Sequence, residues 1–302
     1  MMNKIIVISG ATGVGKTSFS LKLAARFNGE IINADASQFK KGLDIGTAKI
    51  KENEMMGITH HLIDIIGPTD EYSISDYQKM ARDKVDEIIK NNHLPIVVGG
   101  SGLYIDALIN DYKLNAKKSD HKELEEKYQN YSNLDLYELL KSLDKDLAAL
   151  THPNNRNRVL RYIERVNSGS SINDNKSTIV YDALYIFLTR DRDILYKRIN
   201  DRVLKMLEDG WIEEVKSLKN RGIDISSIKE IGYREINDYL DEKLSYDEML
   251  KLISQNTRHY AKRQITWFKN KTNHISFDLD QQSEDEILEK VSLLIEGEKD
   301  EK

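Results

Sequence analysis

Two features of the chain have the residue types and spacing for chemistry. Gly10-Ala11-Thr12-Gly13-Val14-Gly15-Lys16-Thr17 has the form G-x-x-x-x-G-K-[ST] and lies between an apolar strand and a helix. In that context glycines turn backbone N–H groups inward around phosphate oxygens, and the helix N-terminus adds positive potential. Lys16 adds a full charge, and the Thr17 hydroxyl can hold Mg²⁺. With glycine at about 7% of residues, a chance match in a chain this long is on the order of one in a hundred. Asp35 is the second feature. It stands at the carboxyl end of the strand beside the loop, where ligands of open parallel sheets collect, so a general-base role is geometrically natural. An aspartate there is also a common turn former or cap.

A third observation limits what the phosphate site does. Many P-loop ATPases carry an aspartate at the end of a hydrophobic strand to help hold Mg²⁺. Here the strand Ile96 to Val98 runs into Gly99-Gly100-Ser101-Gly102 instead. This counts against a motor or GTPase and leaves a group-transfer enzyme of the small-kinase type open.

The elements that must position these residues are legible in outline. Ile5 to Ser9 is the first strand, Lys16 to Phe27 a helix stopped by Gly29, and Glu30 to Ala34 the second strand. Ser75 precedes a helix to about Lys90, with Tyr77, Met80, Ala81, Val85 and Ile88 on one face. Strands alternating with helices predict an α/β fold, a parallel sheet flanked by helices. From about Asn115 the strand signal gives way to charged, leucine-spaced helical sequence and a loop from Asn167 to Ser177. The strand Ala183 to Leu188 and a helix from about Asp191 to Glu208 then resume the sheet. The expected organisation is a P-loop core, residues 1–114 and 181–302, carrying an inserted all-helical domain at 115–180. Near the end, Ser283 and Glu286 fit a capping box ahead of Ile287, Leu288, Val291, Leu294 and Ile295.

Composition narrows the class. A chain of 302 residues with 39% hydrophobic content can bury one large core with a satellite domain. It has no apolar run long enough for a bilayer and opens on a strand rather than a signal sequence, so a soluble cytoplasmic protein with no membrane partner is expected. Zero cysteines exclude disulfides, thiolate zinc sites and a cysteine nucleophile. The net charge of −5 disguises its distribution: Asp280 to Lys302 holds nine acidic and three basic residues, leaving a body of about +1.

The stretch Asn33-Ala34-Asp35-Ala36-Ser37-Gln38, followed by Gly42-Leu-Asp-Ile-Gly-Thr-Ala-Lys49, resembles the bacterial tRNA dimethylallyltransferases. Further matches follow in order: His61-Leu-Ile-Asp64, Val98 to Tyr104, His152-Pro-Asn154, Asn157-Arg-Val-Leu-Arg161, Ile231-Gly-Tyr-Arg234, Ser245 to Glu248 and Ala261 to Trp267. The resemblance covers nearly the whole chain. It implies transfer of a dimethylallyl group from dimethylallyl diphosphate to N6 of the adenosine next to the anticodon in tRNA, position 37. The P-loop, Gly10, Ala11, Thr12, Gly13, Val14, Gly15, Lys16 and Thr17, would then hold a diphosphate leaving group, with Mg²⁺ on Thr17. That explains a phosphate cradle without the extra carboxylate.

The resemblance also implies roles residue by residue. Asp35 accepts a proton from the adenine amine, Ser101 (threonine in most of the family) offers its hydroxyl, and Arg202 is the catalytic arginine that joins Lys16 on the diphosphate. The tRNA contacts implied are Asp35, Ala36, Ser37, Gln38, Ser101, Asn157, Arg158, Arg161, Arg234, Lys262, Arg263, Gln264, Thr266 and Trp267. Reaching an amine inside the anticodon loop requires the base to leave its stack. Suitable surfaces exist: Arg156, Arg158, Arg161 and Arg165 on one helix, and an acid-free run with Arg258, Lys262, Arg263, Lys269 and Lys271 beside Tyr260, Trp267 and Phe268. Basic helices are more often solvated faces, and Tyr260 and Phe268 also suit a core. Arg190, Arg192 and Asp193 read as a solvated, salt-bridged surface. The chain departs from the family at Ala36, where serine is usual, and at Lys40, where tyrosine is usual.

Three other readings compete: a P-loop small-molecule kinase, a prenyltransferase acting on free adenylate, and a non-catalytic RNA-binding protein. The two basic stretches are more than a free nucleotide needs, and a monomer acting on the anticodon stem-loop is the reading preferred. Affinity for tRNA is then expected to fall steeply with salt, because Arg158, Arg161, Lys262 and Arg263 would displace counterions from phosphates. Each alanine substitution should flatten the slope of log K against log salt by about one ion. Filter-binding titrations across a salt series check this, and four unchanged slopes would show that these side chains only decorate the surface.

Overall fold

The computed structural model describes residues 3–111, 121–167, 179–271 and 273–297, giving only the backbone of 121, 122 and 271. The chain divides into two compact units, residues 1–109 with 180–302, and residues 110–179. The sequence reading set those junctions at 114/115 and 180/181.

The larger unit begins β1 (Lys4–Gly10), α1 (Lys16–Phe27), β2 (Gly29–Asn33), β3 (His60–His61), α2 (Ile74–Lys90), β4 (Leu94–Gly99) and α3 (Gly102–Ile109). The smaller unit contains α4 (His121–Lys127), α5 (Asn133–Leu143), α6 (Lys145–Ala149) and α7 (Arg156–Asn167). The first unit then resumes with β5 (Asp182–Thr189), α8 (Arg192–Glu208), α9 (Trp211–Asn220), α10 (Tyr233–Leu240), α11 (Tyr246–Lys271), β6 (Ile275–Asp278) and α12 (Glu284–Glu296). The six strands form one all-parallel sheet in the order β3-β2-β4-β1-β5-β6. The α/β class read from the sequence is therefore the observed one. The edge strands β3 and β6 were not anticipated. A two-residue strand and one with both early residues exposed carry little periodic signal.

Both faces of the sheet are covered, which is why its central strands read as continuous apolar runs. Ile6 and Ile8 of β1 point into one core with Phe19, Leu23, Ile186 and Ile199, while Ile5 and Val7 point into the other with Ile32, Tyr77, Val85, Phe187 and Phe268. A third cluster surrounds Trp211 with Leu43, Val203, Val215, Tyr233 and Ile253. The helix α2 starts two residues earlier than expected, because Ser73 and Asp76 form its capping box.

The acidic C-terminal segment docks as the helix its capping box predicts, Ser283 accepting from Glu286 N. Ile287 and Val291 are buried against α1, whereas Leu294 remains exposed. Its acids meet the bases of α1: Lys22 lies 3.3 Å from Glu284 and 2.8 Å from Asp285, and Arg26 pairs with Glu289. The negative tail is thus partly neutralised at home.

In the smaller unit, α5, α6 and α7 bury Leu136, Leu140, Leu147, Val159, Leu160 and Ile163 together with Tyr128. Arg156 serves that packing, donating to Tyr131 O at 2.7 Å and Tyr128 O at 2.8 Å while pairing with Glu125. The loop expected from Asn167 to Ser177 lies outside the described residues beyond Asn167.

The strand ends that face the site are set by one close approach. A Cβ on Gly99 would be driven into the backbone of Ala34, the residue before Asp35. Ala34 N also donates to Val98 O at 2.8 Å, and Ser101 N to Ala34 O at 3.3 Å. Gly99→Ala is expected to destabilise the protein by about 1–3 kcal/mol through overpacking. A lower midpoint in urea unfolding at unchanged m-value is the outcome to look for.

Candidate active site

The phosphate loop leaves β1 at Gly10 and enters α1 at Lys16. Gly15, the N-cap, supplies no side-chain cap, and the first turn of α1 holds no acidic residue. The opening amides of a helix have no preceding turn to bond to, so this end is open to an anion. Gly13, at φ +79°, lies where a Cβ would meet Ile199 Cγ1 at 3.3 Å, a conformation and a clearance that favour glycine. The Lys16 ammonium is held beneath the loop by Gly10 O at 2.8 Å and Ala11 O at 3.0 Å.

The loop is gripped from outside by side chains of the β5–α8 region. Arg190 Nε donates to Val14 O at 2.9 Å, Arg198 Nε to Gly13 O at 2.9 Å and Arg202 Nη1 to Thr12 Oγ1 at 3.2 Å. Arg190 also bonds Leu279 O at 3.3 Å and pairs at 2.5 Å with Asp280. It is a structural clamp rather than the solvated residue the sequence suggested. What its neighbours in an Arg/Asp-rich stretch conceal is that it stands in the short connection between β5 and α8, behind the loop.

Asp35 takes the capping role weighed from the sequence and also lines the central cavity. Its Oδ1 caps the 3-10 turn Ala36–Phe39, accepting from Ser37 N at 3.2 Å and Ser37 Oγ at 2.6 Å. Among the described residues the other oxygen makes no such bond. Asn33 brackets its backbone, with Oδ1 accepting from Asp35 N at 2.9 Å and Nδ2 donating to Asp35 O at 3.1 Å. Ser101 Oγ accepts from Ala36 N at 3.3 Å, which brings the Gly99–Gly102 segment against the same turn.

These groups open on one cavity of about 840 Å³. Thr12, Gly13, Gly15, Lys16, Thr17 and Arg202 line its phosphate end, and Asp35, Ala36, Ser37 and Gln38 its carboxylate side. Ile199, Val203, Met206, Trp211 and Ile231 supply an apolar wall. Burial lowers the Lys16 pKa to about 8, Asp35 opposing the shift and Arg202 adding to it. Arg202 is likewise lowered by burial, again with Asp35 opposing. Two cations without an anion of their own thus stand within the field of one carboxylate.

The remaining residues singled out from sequence are spread over both units. Ala11 and Val14 are buried, their side chains belonging to the core under the loop. Gln264 is buried too, and its amide is used at both ends: Oε1 accepts from Thr12 N at 2.9 Å and Nε2 donates to Gly100 O at 3.0 Å. Lys262, Arg263, Thr266 and Trp267 line a second hollow on α11, with His259 and Asn270, while Trp267 abuts Gly102. Arg234 is exposed on the first turn of α10. In the smaller unit Asn157, Arg158 and Arg161 are on the exposed face of α7, opposite Val159, Leu160 and Ile163. Phe268 is core, its ring tilted 40° to that of Phe187 at a centroid distance of 5.5 Å.

Tyr260, weighed from the sequence as a stacking surface or a core residue and given no place among the catalytic residues, lines the central cavity. Burial raises its pKa, Asp35 adding to the rise and Ser101 opposing it, and the Arg263 guanidinium lies 5.8 Å from its ring centroid. The signal available was its position one helical turn before Gln264.

A parallel sheet with an anion-binding loop, a carboxylate and an apolar wall on one cavity defines a group-transfer enzyme for a phosphorylated substrate. The family model described as IPP transferase matches residues 38–271. A tRNA dimethylallyltransferase of Halalkalibacterium halodurans is 41% identical over all of this chain and 99% of its own length, and that of Bacillus subtilis is 41% identical over 91% and 90%. Among solved structures, the tRNA isopentenylpyrophosphate transferase of Bacillus halodurans has 42% identity and a TM-score of 0.74, covering 98% of this chain and 96% of its own. A eukaryotic dimethylallyltransferase acting on tRNA has 28% identity and a TM-score of 0.84, covering 99% and 81%. The chain belongs to the IPP transferase family, enzymes of the prenyltransferase type.

The lowered pKa of Lys16 makes anion binding pH-dependent with a definite sign. Below about pH 8 the ammonium carries its charge; above it the charge is lost, and an anion must bring a proton back. Affinity for diphosphate is expected to decline above pH 8 by up to about tenfold per unit. Calorimetric titration at several pH values should show this alkaline limb in the wild type and not in Lys16→Met.

Proposed function

We propose that this protein transfers a dimethylallyl group from dimethylallyl diphosphate to N6 of adenosine 37 in tRNA, giving N6-isopentenyladenosine and diphosphate. The observation that carries the reading is the shared cavity: in a chain of the IPP transferase family, the phosphate loop, Asp35 and an apolar wall line the same space.

The diphosphate sits on the amides of the loop, with Lys16 and Arg202 facing the oxygens on which negative charge grows. The dimethylallyl tail lies along Ile199, Val203, Met206 and Ile231. As the N6 lone pair attacks C1, the C1–O bond breaks and its electrons leave with the diphosphate. Because those cations are fixed before reaction and partly removed from water, they stabilise the departing charge more than solvent would. Asp35 accepts the proton that N6 gives up, which matters because the exocyclic amine is a poor nucleophile. The bond from Ser37 holds its other oxygen still.

Mg²⁺ suits the donor set present. Among the described residues no group of three histidines or carboxylates forms a metal cage, but Thr17 lines the phosphate end. A magnesium ion typically keeps several waters and binds substrate phosphates with few protein ligands. When bound here it would be held by Thr17 with the diphosphate and would supply further charge stabilisation to it. The tRNA body falls to the exposed basic side chains of α7 and α11, and no helix of the described residues is long and apolar enough to cross a membrane.

The test is incubation of the purified protein with an anticodon stem-loop and dimethylallyl diphosphate, read by mass analysis for one added C5 unit. ATP in place of the donor should leave the RNA unchanged. Asp35→Asn keeps size and polarity but cannot take the proton, so turnover should drop by about 10²- to 10⁴-fold while donor and stem-loop bind nearly normally. Near-normal turnover of that variant at saturating substrates would end the general-base role.

A further inference from the structure

The departure at Lys40 has a structural partner. Lys40 closes the 3-10 turn whose other end is Asp35. The middle of that turn is anchored by Phe39, buried and packed against Tyr72, Tyr77 and Tyr104 at centroid distances of 5.3, 5.6 and 5.6 Å. Its backbone is tied to the segment 64–66, Ile65 N donating to Phe39 O at 2.8 Å and Lys41 N to Ile66 O at 2.9 Å. The Lys40 side chain runs the other way, placing its ammonium 3.1 Å from both carboxylate oxygens of Glu230. Only 11% of one side chain and 14% of the other is exposed. Glu230 and its neighbours Lys229 and Ile231 line the central cavity, as do Ala36, Ser37 and Gln38 of the turn.

An ion pair withdrawn from water to this extent is asymmetric in its energetics. Removing one partner strands a charge with no counter-ion, whereas replacing both with apolar groups of similar volume is commonly tolerated. The two residues therefore act as a unit. What the unit does follows from its ends: it bridges the turn that begins at the proposed base to the segment forming another part of the cavity wall.

We propose that Lys40 and Glu230 are a coupled pair of positioning residues that holds the Asp35–Gln38 turn against the Lys229–Ile231 wall. The proposal rests on the prenyl-transfer reading. The pair touches no reacting atom, and it acts by keeping Asp35 in register with the acceptor amine. Displacement of about 1 Å at a reacting group is enough to cost on the order of 10² in rate. The phosphate loop is held by other residues, so binding of diphosphate alone is independent of the pair.

The test is a double-mutant cycle with Lys40→Met, Glu230→Met and both together, scored by kcat on the stem-loop, Kd for inorganic diphosphate and the thermal midpoint. Each single substitution is expected to lower kcat by roughly tenfold or more, with Kd for inorganic diphosphate within about twofold of wild type. The double variant, which buries no lone charge, should recover kcat to within about threefold of wild type. A merely structural role would lower the midpoint and the active fraction without this rescue of kcat. Losses that add in the double variant, or single variants at wild-type kcat, overturn the proposal. Should a methionine single fail to fold, Lys40→Gln and Glu230→Gln, which keep length and polarity, take its place in the same cycle. Wild-type turnover on the stem-loop is the internal control. Its absence overturns the proposed reaction, whereas its presence with additive losses overturns only the pairing.

Discussion

Lys16 and Arg202 bring positive charge to one short loop that has no anion of its own, and burial lowers the pKa of both. Such a cluster repels itself and is retained only if the surrounding structure holds it. That constraint accounts for much of the architecture around the sheet. The carbonyls of Gly10 and Ala11 hold the lysine, α8 lays two arginines along the loop, and Arg190 behind it is pinned by Asp280. The turn before α12 therefore supports the phosphate site although α12 itself is acidic. Its carboxylates face α1, on the outer side of the loop.

The carboxylate side is built on the opposite principle, with a group kept available by giving it half a structural job. Asp35 caps a turn with one oxygen and leaves the other to the cavity. Asn33, Ser101 and the Gly99–Ala34 contact fix the backbone around it, so the ends of β2 and β4 converge on one side chain. A general base needs this kind of restraint, because proton transfer is sensitive to small errors of distance and angle.

Legibility in the sequence followed how local each signal is. The P-loop, the helix from Lys16 and the strand before Asp35 are contiguous patterns with a mechanism attached, and they were readable with bounds that hold to a residue or two. Gln264, Arg190 and Glu230 were not readable in their actual settings, because each acts across more than a hundred residues of chain: Gln264 on Thr12, Arg190 on Val14, Glu230 on Lys40. Arg190 has the same residue type and neighbours as a solvated arginine; only the closing of β6 and α12 over it distinguishes the two. Lys40 was noticed as a departure, but sequence alone offers no way to choose its partner among many acids. The edge strands β3 and β6 escaped for a different reason, being short and half-exposed.

Gln264 shows how the two halves of the site are kept at a fixed separation. Its amide accepts from Thr12 N on the phosphate loop and donates to Gly100 O, one residue from Ser101. Gly100 has no room for a Cβ against that amide. A single buried side chain from α11 therefore spans the donor and acceptor sides as a strut one amide long. The cost is that the Thr12 amide serves the strut rather than a phosphate, so the loop cradles its anion with one donor fewer. For a motif that must grip a triphosphate this would be a weakness. Under the proposed reaction it is consistent with the chemistry: a diphosphate has fewer oxygens to hold, and attack depends more on the C1-to-N6 distance than on the tightest ground-state grip, since interactions that bind substrate and transition state equally do not raise kcat.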